Sequence, residues 1–175
     1  MKNKLYVIIF LISFLLYNFS GCSENPSTIQ KATLPEGLVT TKDLGPALSV
    51  KQIKDHNGTS KYIVVKGFIG GRKRPFTENR AVFIIGDESL ETCDERPGDN
   101  CPTPWDVCCE DRKKVASSTI SVQVLDSNGT LLHGTLEDVS GIQAGKKVKV
   151  EGHMEKKSKS PARIFNAVRI QLLNN

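Results

Sequence analysis

Cysteine thiols are the groups with the clearest chemical potential in this chain of 175 residues, which contains five of them. Four lie close together in the middle of the chain, at Cys93, Cys101, Cys108 and Cys109. Two disulfides among them would stabilise a connection that has little core of its own. Because a bond between adjacent cysteines strains the peptide that joins them, we predict that Cys108 and Cys109 each pair with one of the other two.

The same four cysteines could instead bind a metal ion, since four thiolates can surround zinc and copper(I) also prefers sulfur. Their spacing lacks the paired CxxC knuckles typical of zinc sites, so the sequence favours disulfides and predicts no cofactor. Nearby Asp94, Asp99 and Asp106 provide oxygen ligands for calcium, although without the EF-hand spacing. A metal-binding or redox module is therefore the alternative to a structural role for this segment.

Cys22 stands apart from the other cysteines, directly after a hydrophobic N-terminal segment. The apolar run over residues 5–19 is shorter than the roughly 20 residues of a membrane span, but is typical of a signal peptide. It ends in Phe-Ser-Gly-Cys, which resembles a bacterial lipobox, although Phe19 stands where Leu is usual. The resemblance implies a signal peptide over residues 1–21, cleavage after Gly21, and lipidation of Cys22 that anchors the protein in a membrane.

Ser23 follows this cysteine, at a position where lipoproteins retained in the inner membrane usually have Asp. The resemblance therefore implies a cell-envelope protein on the periplasmic face of the outer membrane, with the membrane as its first partner. Export to an oxidising compartment also favours disulfides. Nucleic acid is an unexpected partner in that location.

Charge is distributed unevenly along the chain. The net charge is +5, and removal of residues 1–21 lowers it to +3, which is too small to indicate nucleic-acid binding. Residues 86–111 contain nine acids and one arginine, a local balance of −8, so that the rest of the mature chain carries +11. We predict a basic domain with an acidic, cysteine-rich insert over residues 86–118.

Five segments have the hydrophobic pattern typical of strands, which in the half-buried ones repeats every two residues. The third, for example, places Ile120, Val122 and Val124 on one face. A short helix is predicted over residues 47–55, and one helical turn over residues 136–139. The five predicted strands span residues 61–69, 80–85, 119–126, 147–154 and 163–172.

This order of elements predicts an all-β fold, a five-stranded OB-fold-like Greek-key barrel with a short N-terminal helix and the insert between strands two and three. The phrases YIVVKGFIGG, ISVQVLD, GKKVKVEGHME and IFNAVRIQLL resemble OB-fold domains of the nucleic-acid-binding tRNA/helicase type. Gly152 predicts a bend or bulge in the fourth strand. We assign residues 22–46 to a lipidated tether and residues 47–175 to the barrel. The segment CPTPWDVCCE resembles a stretch in lipoproteins of planctomycete-like bacteria, which implies no activity.

Two basic loops are the predicted contact surface. The ligand face of an OB-fold surrounds strands two and three, and the loops between strands one and two and between four and five flank it. Both loops are basic here, so an anionic lipid headgroup, glycan or nucleic acid would relieve their mutual repulsion. The candidate cations are Arg72, Lys73, Arg74, Lys156, Lys157, Lys159 and Arg163.

Binding of single-stranded nucleic acid would also require stacking aromatic rings, for which Phe68, Phe76 and Phe83 are candidates, although core packing is expected for Phe83. No GxSxG, HExxH, phosphate-loop or paired-carboxylate pattern occurs, so the sequence predicts a binding module and not an enzyme. We expect its contact to be an anionic ligand or an envelope protein. Single-stranded nucleic acid, and docking of the basic loops onto an acidic insert, are the alternatives.

Overall fold

The structure is a computed structural model that describes residues 29–54, 62–98, 100–155 and 163–174. The predicted signal peptide and Cys22 lie outside the described residues, as do Asp99 and the loop lysines Lys156, Lys157 and Lys159. Within the described ranges, no helix is long and apolar enough to cross a membrane.

The described residues form seven strands and two short α-helices. The helices are α1, Val50–Lys54, and α2, Arg112–Ser117. The strands are β1, Val39–Thr40; β2, Leu48–Ser49; β3, Ile63–Ile69; β4, Val82–Gly86; β5, Thr119–Val124; β6, Lys147–Met154; and β7, Ile164–Leu172.

Strands β3 to β7 close into a five-stranded barrel. Antiparallel pairs join β3 to β4 and β4 to β5, and β5 then lies parallel to β7. Strand β6 pairs antiparallel with both β7 and β3, which closes the barrel. This Greek-key connectivity is that of an OB-like barrel and confirms the predicted all-β fold class. The short strands β1 and β2 extend the sheet beside β7 and β3.

Alternation along the strands places the core inside the barrel. Ile120, Val122 and Val124 of β5 are all nearly inaccessible, which confirms the face predicted for that strand. Phe83 of β4 and Phe165 of β7 are the largest fully buried side chains. Burial of such apolar surface contributes roughly 25 cal/mol for each Å² removed from water and is the main force that closes the barrel.

A β-bulge interrupts the ladder between β6 and β7 at Gly152, as predicted. Glu151 pairs with Arg169, whereas Gly152 pairs with Ala167, so Val168 is the extra residue. A side chain at position 152 would collide with the backbone carbonyl oxygen of Asn166 in β7. Glycine is therefore required at this point because the two backbones approach closely.

Two predicted helical segments differ in the structure. The helix expected over residues 47–55 begins only at Val50, because Leu48 and Ser49 pair with β3 as strand β2. The helical turn expected over residues 136–139 is wrong. Asp138 and Ser140 have φ values of 58° and 49°, which a right-handed helix cannot contain.

Residues assigned to the tether pack on the barrel in their described part. Ala32 and Leu38 are buried in the main core, and Lys31 forms a bridge with Thr135. Strand β1 adds a parallel pair beside β7. The segment has no periodic pattern because it contributes isolated apolar side chains to a core that other elements build.

A carboxylate at the end of β4 holds the start of α1. Asp87 is only 4% exposed, and its two carboxylate oxygens accept hydrogen bonds of 3.0 Å from the backbone N–H groups of Lys51 and Ser89. Burial alone would raise the pKa of Asp87, but these hydrogen bonds outweigh it and lower the pKa below its ordinary value. The contact fixes where α1 lies against the barrel.

Candidate functional site

A cleft of about 280 Å³ lies on the face formed by β4 and β5, between the ends of α1 and α2. Ile84 of β4 and Thr119 and Ser121 of β5 contribute to its lining. Three cations, Lys54, Arg72 and Arg163, also line it; we call this feature the cationic cleft. This is the face on which OB-folds bind oligonucleotides and oligosaccharides.

The three cations come from separate parts of the chain. Arg72 lies in the loop between β3 and β4, and Arg163 immediately precedes β7, so the structure brings together one residue from each predicted basic loop. Lys54 was not among the predicted site residues. It reaches the cleft because α1 packs against β2, β3 and β5. No local sequence pattern predicts this packing.

Two of the charges in the cleft, those of Lys54 and Arg163, lie close enough to repel each other. Burial lowers the pKa of Lys54, and the neighbouring Arg163 guanidinium lowers it further by repulsion. The Lys54 ammonium also donates a hydrogen bond to the backbone carbonyl of Ala116 at the end of the insert. Folding makes the charged form of Lys54 less favourable. An anion bound in the cleft would offset this destabilisation of the Lys54 ammonium.

The other two cations of the first basic loop lie differently. Lys73 lines a neighbouring cavity of about 360 Å³, which Cys108 of the insert also lines, and Arg74 is exposed. The insert contacts this loop through the backbone of Trp105, whose carbonyl accepts from Gly71 N–H at 2.9 Å. The Trp105 indole donates to the Lys73 carbonyl at 3.3 Å. Among the described residues, no ion pair joins Arg72, Lys73 or Arg74 to an acid of the insert.

Two of the three candidate stacking residues are buried, and the third packs against one of them. Phe83 is fully buried, Phe68 is 6% exposed, and Phe76 packs against Phe83 with 6.2 Å between ring centroids. No aromatic side chain occurs among the described residues that line the cationic cleft. The prediction that Phe83 serves the core is confirmed, and the burial of Phe68 excludes it as a stacking platform. Phe76 is half-buried and does not line the cationic cleft.

The acidic insert, predicted over residues 86–118, begins after Gly86 of β4 and folds around a small core that it shares with Phe68 of β3. Phe68, Leu90 and Val107 are buried together there, and Val115 of α2 packs against them. Two segments of the insert lie against each other, because Cys93 N–H donates to the Asp106 carbonyl at 2.9 Å. Asp111 caps α2 by accepting from the backbone N–H groups of its first turn.

This fold gathers the predicted cysteines into a cluster. The Sγ atoms of Cys93, Cys101 and Cys108 all lie within 4.8 Å of one another; we call these three the thiol cluster. Cys109 lies beside it, with its Sγ atom 3.8 Å from that of Cys108. Among the described residues, the thiol cluster is the only group of three or more metal-ligating side chains this close together.

The predicted disulfides are absent among these described cysteines. The sulfur atoms of Cys93 and Cys108 lie 3.6 Å apart, whereas a disulfide bond is about 2.05 Å long. The spacing argument therefore identified cysteines that meet, while disulfide pairing among them stays a prediction. Calcium ligation by Asp94, Asp99 and Asp106 also lacks support, since the Asp106 carboxylate accepts from its neighbour's N–H at 2.8 Å and Asp99 lies outside the described residues.

Exposure differs strongly within the cluster. Cys93 is 2% exposed, Cys101 is half-buried, and Cys108 and Cys109 are at the surface. Burial, and secondly its contacts with the Cys108 and Cys101 thiols, together raise the pKa of the Cys93 thiol to about 12. In the absence of a bound ion, Cys93 is therefore an unreactive thiol, whereas Cys108 and Cys109 are accessible to solvent.

No protein-family model matches this sequence, and no curated protein matches it. The arguments for function consequently depend on the chemistry of the cationic cleft and of the thiol cluster.

Proposed function

We propose that this protein is a lipid-anchored, non-catalytic binding module of the bacterial cell envelope, and that its cationic cleft holds an anionic ligand. The main support is that Lys54, Arg72 and Arg163, which belong to three separate segments, line one cleft on the β4–β5 face. Anchoring through Cys22 follows from the lipobox-like segment and lies outside the described residues.

The cleft suits a small charged group better than a stack of bases. Its volume of about 280 Å³ would accommodate one sugar unit or one phosphate-sized group. Arginine binds a carboxylate or phosphate through two parallel hydrogen bonds. The Ser121 hydroxyl provides a neutral polar contact, whereas the Thr119 hydroxyl already donates to the Val115 carbonyl. Ile84 adds apolar surface on which the ring of a sugar can rest.

We therefore infer that an acidic glycan is the ligand class, either alone or attached to an envelope protein. Single-stranded nucleic acid is the weaker candidate, because its binding depends on stacking aromatics and the three candidates are packed in the protein. A location in the cell envelope supports the same preference.

The first experiment measures binding of a short polygalacturonate to the full chain in detergent by isothermal titration calorimetry. The test variant combines Arg72→Gln with Arg163→Gln, and the matched control combines Lys42→Gln with Arg80→Gln. The control pair is exposed, lies outside the cleft lining, and changes the net charge equally. Loss of one hydrogen bond to a charged group costs about 1.5 kcal/mol, or roughly tenfold in affinity, so the cleft pair should weaken binding about 100-fold.

The control pair should leave the affinity within about twofold, since exposed charges distant from the ligand are screened by salt. Equal losses in both variants would show diffuse attraction to positive charge and would contradict a specific cleft. Parallel titrations use a neutral galactan, a single-stranded oligonucleotide and vesicles containing anionic lipid. Tighter binding of the oligonucleotide or of the vesicles than of the acidic glycan would replace the proposed ligand class.

A further inference from the structure

The thiol cluster carries an inference independent of the cationic cleft. We propose that Cys93, Cys101 and Cys108, with Cys109 adjacent, bind one thiophilic d10 metal ion, zinc(II) or copper(I). No step of this argument requires that the cleft bind an anion, so the two proposals can fail separately.

The separations between sulfur atoms match those of thiolates around one metal ion. Zinc–sulfur bonds are about 2.3 Å long, so two ligands at tetrahedral angles have sulfur atoms about 3.8 Å apart. The observed distances are 3.6 Å between Cys93 and Cys108 and 3.8 Å between Cys108 and Cys109. All three members of the thiol cluster lie within 4.8 Å of one another, so small side-chain adjustments would bring them to one ion.

The backbone holds the buried ligand in place. Cys93 lies in a 3₁₀ turn over Cys93–Glu95, and its N–H donates to the Asp106 carbonyl at 2.9 Å. The adjacent Asp94 N–H donates to the Pro104 carbonyl at 3.3 Å, which adds a second link between the two segments. Val107, next to Cys108, is buried against Phe68 and Leu90. Ligands on both sides of the cluster are thus fixed before an ion arrives.

The surface cysteines provide access to the cluster. Cys108 and Cys109 are exposed, so an ion can enter from solvent and the displaced protons can leave. Binding exchanges each ligating thiol proton for a metal–sulfur bond, and no electron is transferred. The ion keeps its charge, and one proton is released for every cysteine that coordinates it.

Nearby cations would offset the negative charge of such a centre. Four thiolates around zinc(II), or three around copper(I), carry a net charge of −2. The cavity beside Cys108 is lined by Arg72, Lys73 and Arg112 as well as by Asp106 and Glu110. Sulfur ligands favour soft ions over the hard cations magnesium and calcium, which prefer oxygen.

The test uses the full chain with the substitution Cys22→Ser, so that the four insert cysteines are its only thiols. The reduced protein is titrated without oxygen, with cobalt(II) as the spectroscopic substitute for zinc and with copper(I) in competition with a coloured chelator. We expect one ion per chain, with sulfur-to-cobalt charge-transfer bands, and one proton released per ligating thiol. The competition constants from the two arms identify which metal is preferred.

Two variants test the ligand assignment. Cys108→Ser removes an exposed member of the cluster, so the fold should persist while metal affinity falls by about 100-fold or more. Cys109→Ser should cause a smaller loss, unless Cys109 completes a four-sulfur site, in which case its loss should equal that of Cys108→Ser. Either result identifies the ligand set of a genuine site. Equal metal binding by Cys108→Ser and its parent would overturn the proposal.

A second measurement decides between a metal site and oxidised cysteines. The unaltered chain is expressed in a bacterium, extracted from the envelope, and weighed by native mass spectrometry with thiol alkylation. A bound ion with unoxidised insert cysteines would support the proposal. Two disulfides without metal would overturn it and restore the structural role that the sequence favoured.

Discussion

The substitution Gly152→Ala tests the closure of the barrel at the bulge between β6 and β7. A Cβ atom at this position would collide with the carbonyl oxygen of Asn166 and lie 2.8 Å from Cε1 of Phe165. Ordinary contacts of a Cβ atom begin near 3.4 Å, so the ring must move by about 0.6 Å in addition to any backbone shift. Phe165 is fully buried, and Asn166 pairs with strands on both sides.

These constraints place the cost at the upper end of the usual range for overpacking, about 3 kcal/mol. For a domain of this size each kcal/mol lowers Tm by roughly 2–4 °C, so Gly152→Ala should lower Tm by about 6–12 °C. The assay is thermal and urea unfolding, followed by circular dichroism. The main expected change is in the urea midpoint, with little change in slope.

The control is Gly129→Ala, at a turn with a φ of 78° where an added Cβ meets nothing within 4 Å. It carries only the strain of a left-handed alanine, about 1 kcal/mol. If Gly152→Ala is no more destabilising than this control, the close approach of the two backbones does not constrain the barrel, and our reasoning about the bulge is refuted.

Three further predictions concern the insert and its junctions. Asp87→Asn should destabilise the fold by about 1–2 kcal/mol at neutral pH. Because the pKa of Asp87 is lowered on folding, the stability that its carboxylate contributes exists above pH ~4 and is lost as pH falls through the folded pKa. The urea midpoints of the variant should therefore vary less with pH than those of the parent in that acid range. Cys93 should be the last insert cysteine alkylated by iodoacetamide in reduced, metal-free protein. Its pKa of about 12, against an ordinary 9.0, leaves about 1000-fold less thiolate at pH 8. Peptide mass mapping that finds Cys93 modified as fast as Cys108 would contradict its burial. Leu90→Ala should lower the free energy of unfolding by about 2 kcal/mol and loosen the insert before the barrel. The fluorescence of Trp105, the one tryptophan in the sequence, should therefore change at a lower urea concentration than the circular dichroism of the barrel. Coincident transitions would show that the insert does not unfold separately.

The barrel was predictable from the sequence because its signals are local. Alternating residues such as Ile120, Val122 and Val124 specify one buried face wherever the strand lies. Gly152 marks a bulge because the absence of a side chain is visible in the sequence itself. The acidic, cysteine-rich composition of the insert was visible for the same reason.

The tertiary structure alone decided which distant residues meet. Lys54 joins Arg72 and Arg163 because Asp87 holds α1 against the barrel and because β5 and β7 pair in parallel, and neither contact has a signal in the neighbouring sequence. Ala32 and Leu38 reach the core from a segment without periodicity.

The cysteines show the same division most clearly. Composition showed that four thiols lie in one insert, but their spacing could not show that Cys93, Cys101 and Cys108 converge within 4.8 Å. That convergence depends on backbone hydrogen bonds between the segments around Cys93 and Asp106 and on burial of Leu90 and Val107. Local patterns determine which elements form, whereas long-range pairing determines which side chains share a site.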